Sequence, residues 1–374
     1  MKPIIKWPGG KSKELKYVRE LMPRNFNRYI EPFFGGGAVF FDVKPQRAVV
    51  NDLCRELTLF YRFVKGELDQ KVFKEELYVY VDAWENVANY MALFTADLLV
   101  LYNEYRNGHT GYAFLQEQLR HLLSQYQREF DLFFHEEFII NKTNLLHQIT
   151  DNLTSKLKRV KSLEKIKGTL PLEDLADNFE SAVRSGFYMH FRDVLNNSTG
   201  EYALSEAKKA ANYYFIREFC YGAMFRFNSQ GEFNIPYGGI AYNRKDFRKK
   251  VDLIFSPEVQ RLLADTIIEN LDFEEFFNKY YYDKNDFVFL DPPYDSDFSE
   301  YEQNTFNQDD QKRLACLLYN LKAKFILIIK NTDFIVSLYR DKPGIKITSF
   351  DKTYLYNVRG RNNRDTQHLI IYNY

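Results

Sequence analysis

Asp291-Pro292-Pro293-Tyr294 is the set of residues best suited to chemistry in this 374-residue chain. Within residues 286–290 (DFVFL), Phe287 to Leu290 form an apolar run bounded by Asp286 and Asp291, the pattern of a buried strand. Such a strand delivers the Asp291 carboxylate to its carboxyl end, where open α/β sheets bind their ligands. Pro292 and Pro293 stiffen the backbone and stop either a helix or a central strand from continuing. A carboxylate, a proline carbonyl and the Tyr294 ring together suit a planar amine. The two oxygens each accept one N–H, and the ring covers the flat face. A plain strand-end turn also explains Asp-Pro, and other segments decide between the two readings.

The second such set lies near the start. Residues 29–41 (YIEPFFGGGAVFF) run from a short strand through glycines into an apolar segment. Glycine permits positive φ and a close approach of backbone to ligand. Residues 48–50 (AVV) read as a second short strand, ending in Asn51-Asp52. An acidic residue at that place can hydrogen-bond ribose hydroxyls, so the loop and Asp52 together point to an adenosine-containing cofactor.

Taken in order, Lys6-Trp7-Pro8-Gly9-Gly10-Lys11, Glu31-Pro32-Phe33-Phe34-Gly35-Gly36-Gly37, Asp52 and Asp291-Pro292-Pro293-Tyr294 resemble a known set. They are similar to the amino-terminal, cofactor-loop, ribose and catalytic motifs of the Dam-type (α-group) DNA adenine-N6 methyltransferases. The segment from Arg226 through Asn228, Asn234 and Pro236 to Gly238 resembles that family's recognition hairpin. The matched segments cover residues 1–65 and 205–374.

The resemblance implies S-adenosyl-L-methionine as cofactor. Gly35 and Gly37 would lie against its methionine end, with Glu31 in the same motif and Phe34 shaping the pocket. Lys6, Trp7 and Lys11 match the amino-terminal cofactor motif, where Lys11 would neutralise a carboxylate and Trp7 supply an apolar wall. Asp52 would take the ribose hydroxyls. Asp272-Phe273 matches the position for the cofactor adenine, although an ordinary helix start explains the pair equally well. Asp291 and the Pro292 carbonyl would take both N–H groups of the target amine, and Tyr294 would stack on its base. A base inside a duplex cannot reach such a site, so the target would be flipped out.

Recognition would rest on residues 221–240. Arg226 matches a guanine-reading arginine, whose fork suits O6 and N7. Tyr221 matches an intercalating aromatic, Met224 an apolar base contact, and Asn228 and Pro236 lie in the same segment. The chain departs from the pattern at Gly222, where Asn is usual, and at Gly239-Ile240, which replace an Arg-Tyr pair. Lys330-Asn331-Thr332-Asp333 also replaces a more usual Ser-Asn start. These changes put a GATC target in doubt.

The implied function is a site-specific DNA methyltransferase acting on N6 of a flipped-out adenine in duplex DNA, in a restriction-modification or phage setting. A cytosine-N4 or RNA amino methyltransferase is the alternative enzyme, and a catalytically inactive DNA-binding relative the alternative without chemistry. A nicotinamide dehydrogenase would leave Asp291-Pro292-Pro293-Tyr294 unused. Cytosine-C5 chemistry needs a nucleophilic Cys, and no Cys here follows a proline. Double-stranded DNA and a cognate restriction endonuclease are the expected partners of a monomer.

Composition fits that reading without demanding it. Net charge is +0, which argues against a simple basic DNA-binding module. Basic residues cluster at 156–161, 244–250 and 359–364, and runs flanking a recognition segment suggest phosphate contacts. Phe and Tyr number 34 and 28, more than base stacking requires, so most belong to the core. Cys54, Cys220 and Cys316 show no metal spacing and read as free thiols of a reducing cytoplasm. No metal is expected. The first residues lack the pattern of a secretory leader, and no apolar run reaches membrane-spanning length.

To position these residues the chain needs a doubly wound, mostly parallel sheet. Strands are expected at 28–31, 47–51, 286–291, 325–329, 345–350 and 367–373, drawn from both ends of the chain. Residues 66–190, rich in Leu, Phe, Glu, Lys and Gln, read as inserted helices that add DNA recognition or clamping or, alternatively, only support the recognition hairpin, and 196–200 as a loop. The expected architecture is a Rossmann-like catalytic domain (1–65 and 256–374) interrupted by a mainly helical target-recognition domain (66–255) carrying a β-hairpin.

Overall fold

The computed structural model describes residues 1–11, 14–294, 306–353 and 365–374. Its sheet has the order β3-β2-β1-β4-β5-β7-β6. The strands are β1 (Tyr29–Glu31), β2 (Ala48–Asn51), β3 (Thr266–Glu269), β4 (Phe287–Leu290), β5 (Lys324–Lys330), β6 (Lys346–Thr353) and β7 (Asp365–Tyr372). The pairs from β3 through β5 are parallel, while β7 runs antiparallel between β5 and β6. β1, β2 and β4 are buried along their whole length, so β4 is a continuous apolar run and β1 and β2 are apolar up to their last residues, Glu31 and Asn51, rather than alternating.

β3 is the strand that the sequence pattern did not reveal. Thr266-Ile267-Ile268-Glu269 is short, polar at both ends and an edge strand with one side exposed. Four residues of that kind cannot be told from the end of the preceding helix by periodicity.

The chain separates into two compact units. Unit one comprises Met1–Leu68, Phe225–Gly231 and Ser256–Tyr374. Unit two comprises Asp69–Met224 and Glu232–Phe255.

In unit one, helices α1 (Leu15–Leu21), α2 (Ala38–Val43), α3 (Arg55–Lys65), α12 (Pro257–Ala264), α13 (Phe273–Lys279), α14 (Gln308–Tyr319) and α15 (Asp333–Tyr339) accompany the sheet. Ile30, Val288, Leu290, Leu314, Leu327 and Ile329 share one core with Phe273 and Phe276. Strand order reverses between β1 and β4, which have β2 and β5 on their outer sides. A crevice at such a reversal is where open α/β sheets bind ligands.

Unit two is helical as the composition of 66–190 suggests. It holds α4 (Gln70–Arg106), α5 (Tyr112–Gln125), α6 (Gln127–Phe133), α7 (Glu136–Ile139), α8 (Lys142–Lys167), α9 (Leu172–Asn196), α10 (Glu206–Phe219) and α11 (Phe247–Ile254). Asp69 caps α4 by accepting from the Val72 N–H. Phe73, Leu77, Tyr80, Trp84, Val87 and Met91 then repeat at helical spacing on its buried face. Trp84 meets Phe219 at 4.2 Å between centroids, and Tyr80 meets Phe191 at 4.9 Å. α8 and α9 cross closely because Gly186 carries no side chain: a Cβ there would lie 2.6 Å from the Ile149 Cα.

Residues 221–240 reverse direction, and Cys220 pairs with Tyr237 in an isolated antiparallel bridge. The Tyr221 N–H donates to the Pro236 carbonyl and the Gly238 N–H to the Phe219 carbonyl, closing the base. Beyond it, the Gly231 N–H turns back to the Asn228 carbonyl. Pro236 has no N–H to give a ladder, and turn residues satisfy their own backbone.

Candidate active site

β4 ends at Asp291, and the elements around it gather charge. The Lys11 ammonium lies 2.5 Å from Asp291 Oδ2, 2.8 Å from the Tyr294 hydroxyl and 3.1 Å from the Gly9 carbonyl. The Tyr294 hydroxyl in turn reaches Asp291 Oδ1 at 3.4 Å. The Tyr294 ring stands edge-on to His368 of β7, with centroids 5.2 Å apart. Buried Gln311 of α14 donates from Nε2 to the Pro293 carbonyl at 3.1 Å. Among the described residues no hydrogen bond reaches the Pro292 carbonyl. The sequence singles out neither Gln311, 18 positions from Pro293, nor the meeting of Lys11 with Asp291 and Tyr294, the latter 283 positions away.

At the end of β1, the glycine loop wraps an aromatic ring. Gly35 has φ +50°, and a Cβ there would sit 2.7 Å from Trp7 Cδ1. Trp7 therefore packs directly on the loop, and its ring also meets Phe225 edge-on at 4.7 Å. Phe34 is buried and stacks among Phe40 and Tyr61. Gly37, at φ +64°, gives Phe34 its space. Lys6 is partly exposed.

Two acids flank this loop. Asp52 accepts the Gly35 N–H at 2.7 Å on Oδ2 and the Cys54 N–H at 2.9 Å on Oδ1. Withdrawal from water pushes its carboxyl up to about 6, against the lowering effect of those two backbone bonds. Glu31 is buried and accepts the Tyr29 hydroxyl at 2.7 Å. Burial raises its carboxyl well above the usual range; Tyr29 opposes this, and the charges of Asp291 and Asp52 add to it. Burial thus holds Glu31 toward its neutral form.

Asp272 and Phe273 are fully occupied as a helix start. Asp272 caps α13 by accepting the Glu274 N–H and also pairs with Arg313 at 2.8 Å. Phe273 is covered by Phe33, Phe306 and the Arg313 guanidinium, which lies 4.7 Å from its centroid.

Of the expected recognition residues, Arg226 and Asn228 belong to unit one, and Tyr221, Met224 and Pro236 to unit two. Arg226, Tyr221 and Pro236 are exposed; Met224 and Asn228 are partly so. The basic runs depart from expectation. In 156–161, Lys161 bonds the Tyr105 carbonyl and Lys156 is withdrawn from water, which lowers its ammonium. In 244–250, Lys245 pairs with Glu218, Arg248 with Asp82 and Glu85, and Arg244 with Asp177. Lys158 and Arg159 stay exposed, and 359–364 lies outside the described residues.

Comparison with known proteins agrees with this geometry. A profile of the D12 class N6 adenine-specific DNA methyltransferases matches residues 7–129 and 136–355. The chain belongs to that family. It is similar to the type II methyltransferase M.CviBI of Paramecium bursaria Chlorella virus NC1A, at 27% identity over 100% of both chains. It matches the type II methyltransferase M.MjaIII of Methanocaldococcus jannaschii at 27% identity over 100% of this chain and 99% of that one. A retron Ec67 DNA adenine methylase of Escherichia coli is 33% identical over 44% of this chain and 54% of its own. This D12 class enzyme is thus a site-specific, adenine-directed DNA methyltransferase of the kind found in restriction-modification systems. Among its described residues no helix is long and apolar enough to cross a membrane, and no three His, Cys, Asp or Glu are grouped to hold a metal.

Proposed function

We propose that the methyl donor is S-adenosyl-L-methionine and that its site is the crevice between the ends of β1 and β4. The observation that supports this most is the placement of Asp291 beside Glu31 and Asp52 at the reversal of strand order. The residues fit a cationic, ribose-bearing cofactor. Asp52 keeps acceptor capacity on both oxygens for hydroxyl groups, and the acids favour a positive sulfonium. Gly35, Gly37, Phe34 and Trp7 shape the methionine end, with Lys6 and Glu31 adjoining. Asp272 and Phe273 serve the adenine only if Arg313 leaves the ring. Bound there, the cofactor supplies an electrophilic methyl group.

The chain's own groups handle the acceptor. Asp291 and the Pro292 carbonyl take the two N–H groups of a flipped-out adenine, and Tyr294 covers its face. That pairing draws the nitrogen toward tetrahedral geometry and stabilises the positive charge it develops. Gln311 holds the Pro293 carbonyl, which leaves Pro292 to face the amine. Unit one is the catalytic unit, and unit two supports target recognition together with Tyr221, Met224, Arg226, Asn228 and Pro236. The enzyme acts as a cytoplasmic monomer on double-stranded DNA, with a restriction endonuclease of the same specificity as its natural counterpart.

The test uses tritiated S-adenosyl-L-methionine and unmethylated duplex DNA, followed by nucleoside analysis. Label in N6-methyladenine is expected. Label in N4-methylcytosine, or transfer to RNA alone, would overturn the assignment.

A further inference from the structure

Arg313 of α14 lies against both residues of the pair matched to the cofactor adenine. Its Cζ is 4.7 Å from the Phe273 centroid. Phe33 and Phe306 cover more of that ring, with centroids 5.7 and 5.4 Å away. Phe273 is left only 5% exposed, so its ring has no open face for a base.

The guanidinium is held by its edge. Nε and Nη2 meet Glu274 Oε2 at 2.8 and 2.6 Å. Nη1 meets Asp310 Oδ1 at 2.7 Å, and Nη2 also meets Asp272 Oδ1 at 2.8 Å. A guanidinium is planar and carries its donors in that plane. The edge is thus spent on three carboxylates, and one face on Phe273. The second face remains, on a side chain that is 38% exposed. Three carboxylates exceed what one positive charge needs, and contacts on all three nitrogens stop the plane from rotating. Asp272 is itself used on one oxygen. Its Oδ1 takes Arg313 and the Glu274 N–H, while among the described residues nothing bonds Oδ2.

An arriving base has two ways in. It can drive Arg313 off Phe273, which breaks the contacts to Asp272, Glu274 and Asp310 along with the cation–π contact. Or it can lie on the outer face of the guanidinium, which breaks none of them. Guanidinium planes stack on nucleobases much as aromatic rings do, and a cation is attracted to an aromatic face. Asp272 sits at the edge of that plane, where Oδ2 can accept the exocyclic amine of the stacked base.

We propose that Arg313 is a cofactor-binding residue: its guanidinium, backed by Phe273 and fixed by Asp272, Glu274 and Asp310, is the surface on which the cofactor adenine stacks. This rests on the reading that S-adenosyl-L-methionine binds in the crevice with its adenine at Asp272. Phe273 then supports the stacking plane and is not the plane itself.

The experiment is calorimetric titration of full-length wild type, Arg313→Lys and Arg313→Ala with two ligands. One is S-adenosyl-L-homocysteine. The other is its analogue with purine in place of adenine, which stacks but has no amine for Asp272. Arg313→Lys keeps a positive charge among the three acids and loses the plane. Both variants should bind both ligands about 3–30-fold more weakly than wild type, the fold-change of a cation–π contact. Wild-type affinity in Arg313→Lys overturns the inference, because charge alone would then suffice. Tighter binding in either variant also overturns it, since Arg313 would then be an obstacle that leaves Phe273. A loss confined to S-adenosyl-L-homocysteine overturns it as well, because Arg313 would serve only to place Asp272. Should Arg313→Ala not fold, Arg313→Lys decides on the same terms. A wild-type protein that binds neither ligand overturns the cofactor reading, and the inference with it.

Discussion

His190 and Lys11 are both buried polar side chains, one in each unit, and they are used in opposite ways. In unit two, His190 bonds the Ile139 carbonyl through Nε2 and Asn144 through Nδ1, and burial lowers its imidazole to about 4, so it stays neutral. Arg184 bonds the Trp84 carbonyl and Glu180, and Asn212 bonds the Phe191 carbonyl. Each of these side chains ends on the backbone or a side chain of the helices it ties together. In unit one, Lys11, Asp291, Tyr294 and Glu31 instead meet one another at strand ends. Charge that is satisfied by backbone stabilises a packing arrangement. Charge that is satisfied mainly by other side chains in a crevice can be given over to a ligand. On the proposed function, the same degree of burial serves structure in one unit and chemistry in the other.

The sharpest way to break this contrast is at Asp291. Asp291→Ala should lose roughly 3–4 kcal/mol of transition-state stabilisation while cofactor affinity stays near wild type; rates and calorimetry check the two. Near-normal turnover would remove the distinction.

The mirror test lies in unit two. Gly186→Ala places a Cβ 2.6 Å from the Ile149 backbone, and overpacking of that kind costs about 1–3 kcal/mol. Denaturant unfolding should show the loss, with S-adenosyl-L-methionine affinity unaltered in the folded protein. A reduced affinity without lost stability would assign unit two a part in the cofactor site.

Arg226→Ala should weaken discrimination at one guanine by about 1–3 kcal/mol, if its fork reads the base. Competition binding between cognate and altered duplexes measures this. A uniform loss across sequences would make Arg226 a phosphate contact.

The basic run of α8 gives a smaller effect. Lys158→Ala with Arg159→Ala should reduce the slope of log affinity against log salt, by about 0.9 for each phosphate that is no longer neutralised. Lys156→Ala and Lys161→Ala should leave the slope unchanged, because those side chains are engaged within unit two. Equal effects from both pairs would show the whole run facing DNA.

The last test is of Asp52. Its carboxyl is raised in the folded state, from 3.8 to about 6. Its contribution to stability is therefore present at low pH and is lost as pH rises through about 6. Asp52→Asn should flatten that part of the melting profile of the free enzyme. Ribose hydroxyls need the ionised form as acceptor, so wild-type cofactor affinity should rise across the same window. Identical pH profiles for the two proteins would show that Asp52 does not titrate there.

Much of this was legible in the residues. The apolar run 287–290 followed by Asp291-Pro292 marks a buried strand and its end wherever the rest of the chain goes. Gly35 and Gly37 do adopt the positive φ that glycines in such a loop permit. The helical face of α4 follows from the spacing of Phe73, Leu77, Tyr80 and Trp84. β3 escaped notice because four half-exposed edge residues carry too little periodic signal. The partners of the 244–250 run were not legible, because charge in a sequence says nothing of what it pairs with: Glu218, Asp82, Glu85 and Asp177 come from distant positions.

The sequence by itself determined the strands that end in Asp52 and Asp291, the glycine turn that follows β1 and the helical character of residues 66–190. These depend on local backbone preference and on residue periodicity, which act over a few positions. Only the tertiary structure decided that Lys11 pairs with Asp291, that Gln311 holds the Pro293 carbonyl, and that Arg313 covers Phe273. Those choices join residues far apart in the chain, and the geometry of a packed sheet, not any local preference, selects which of many possible partners each charge meets.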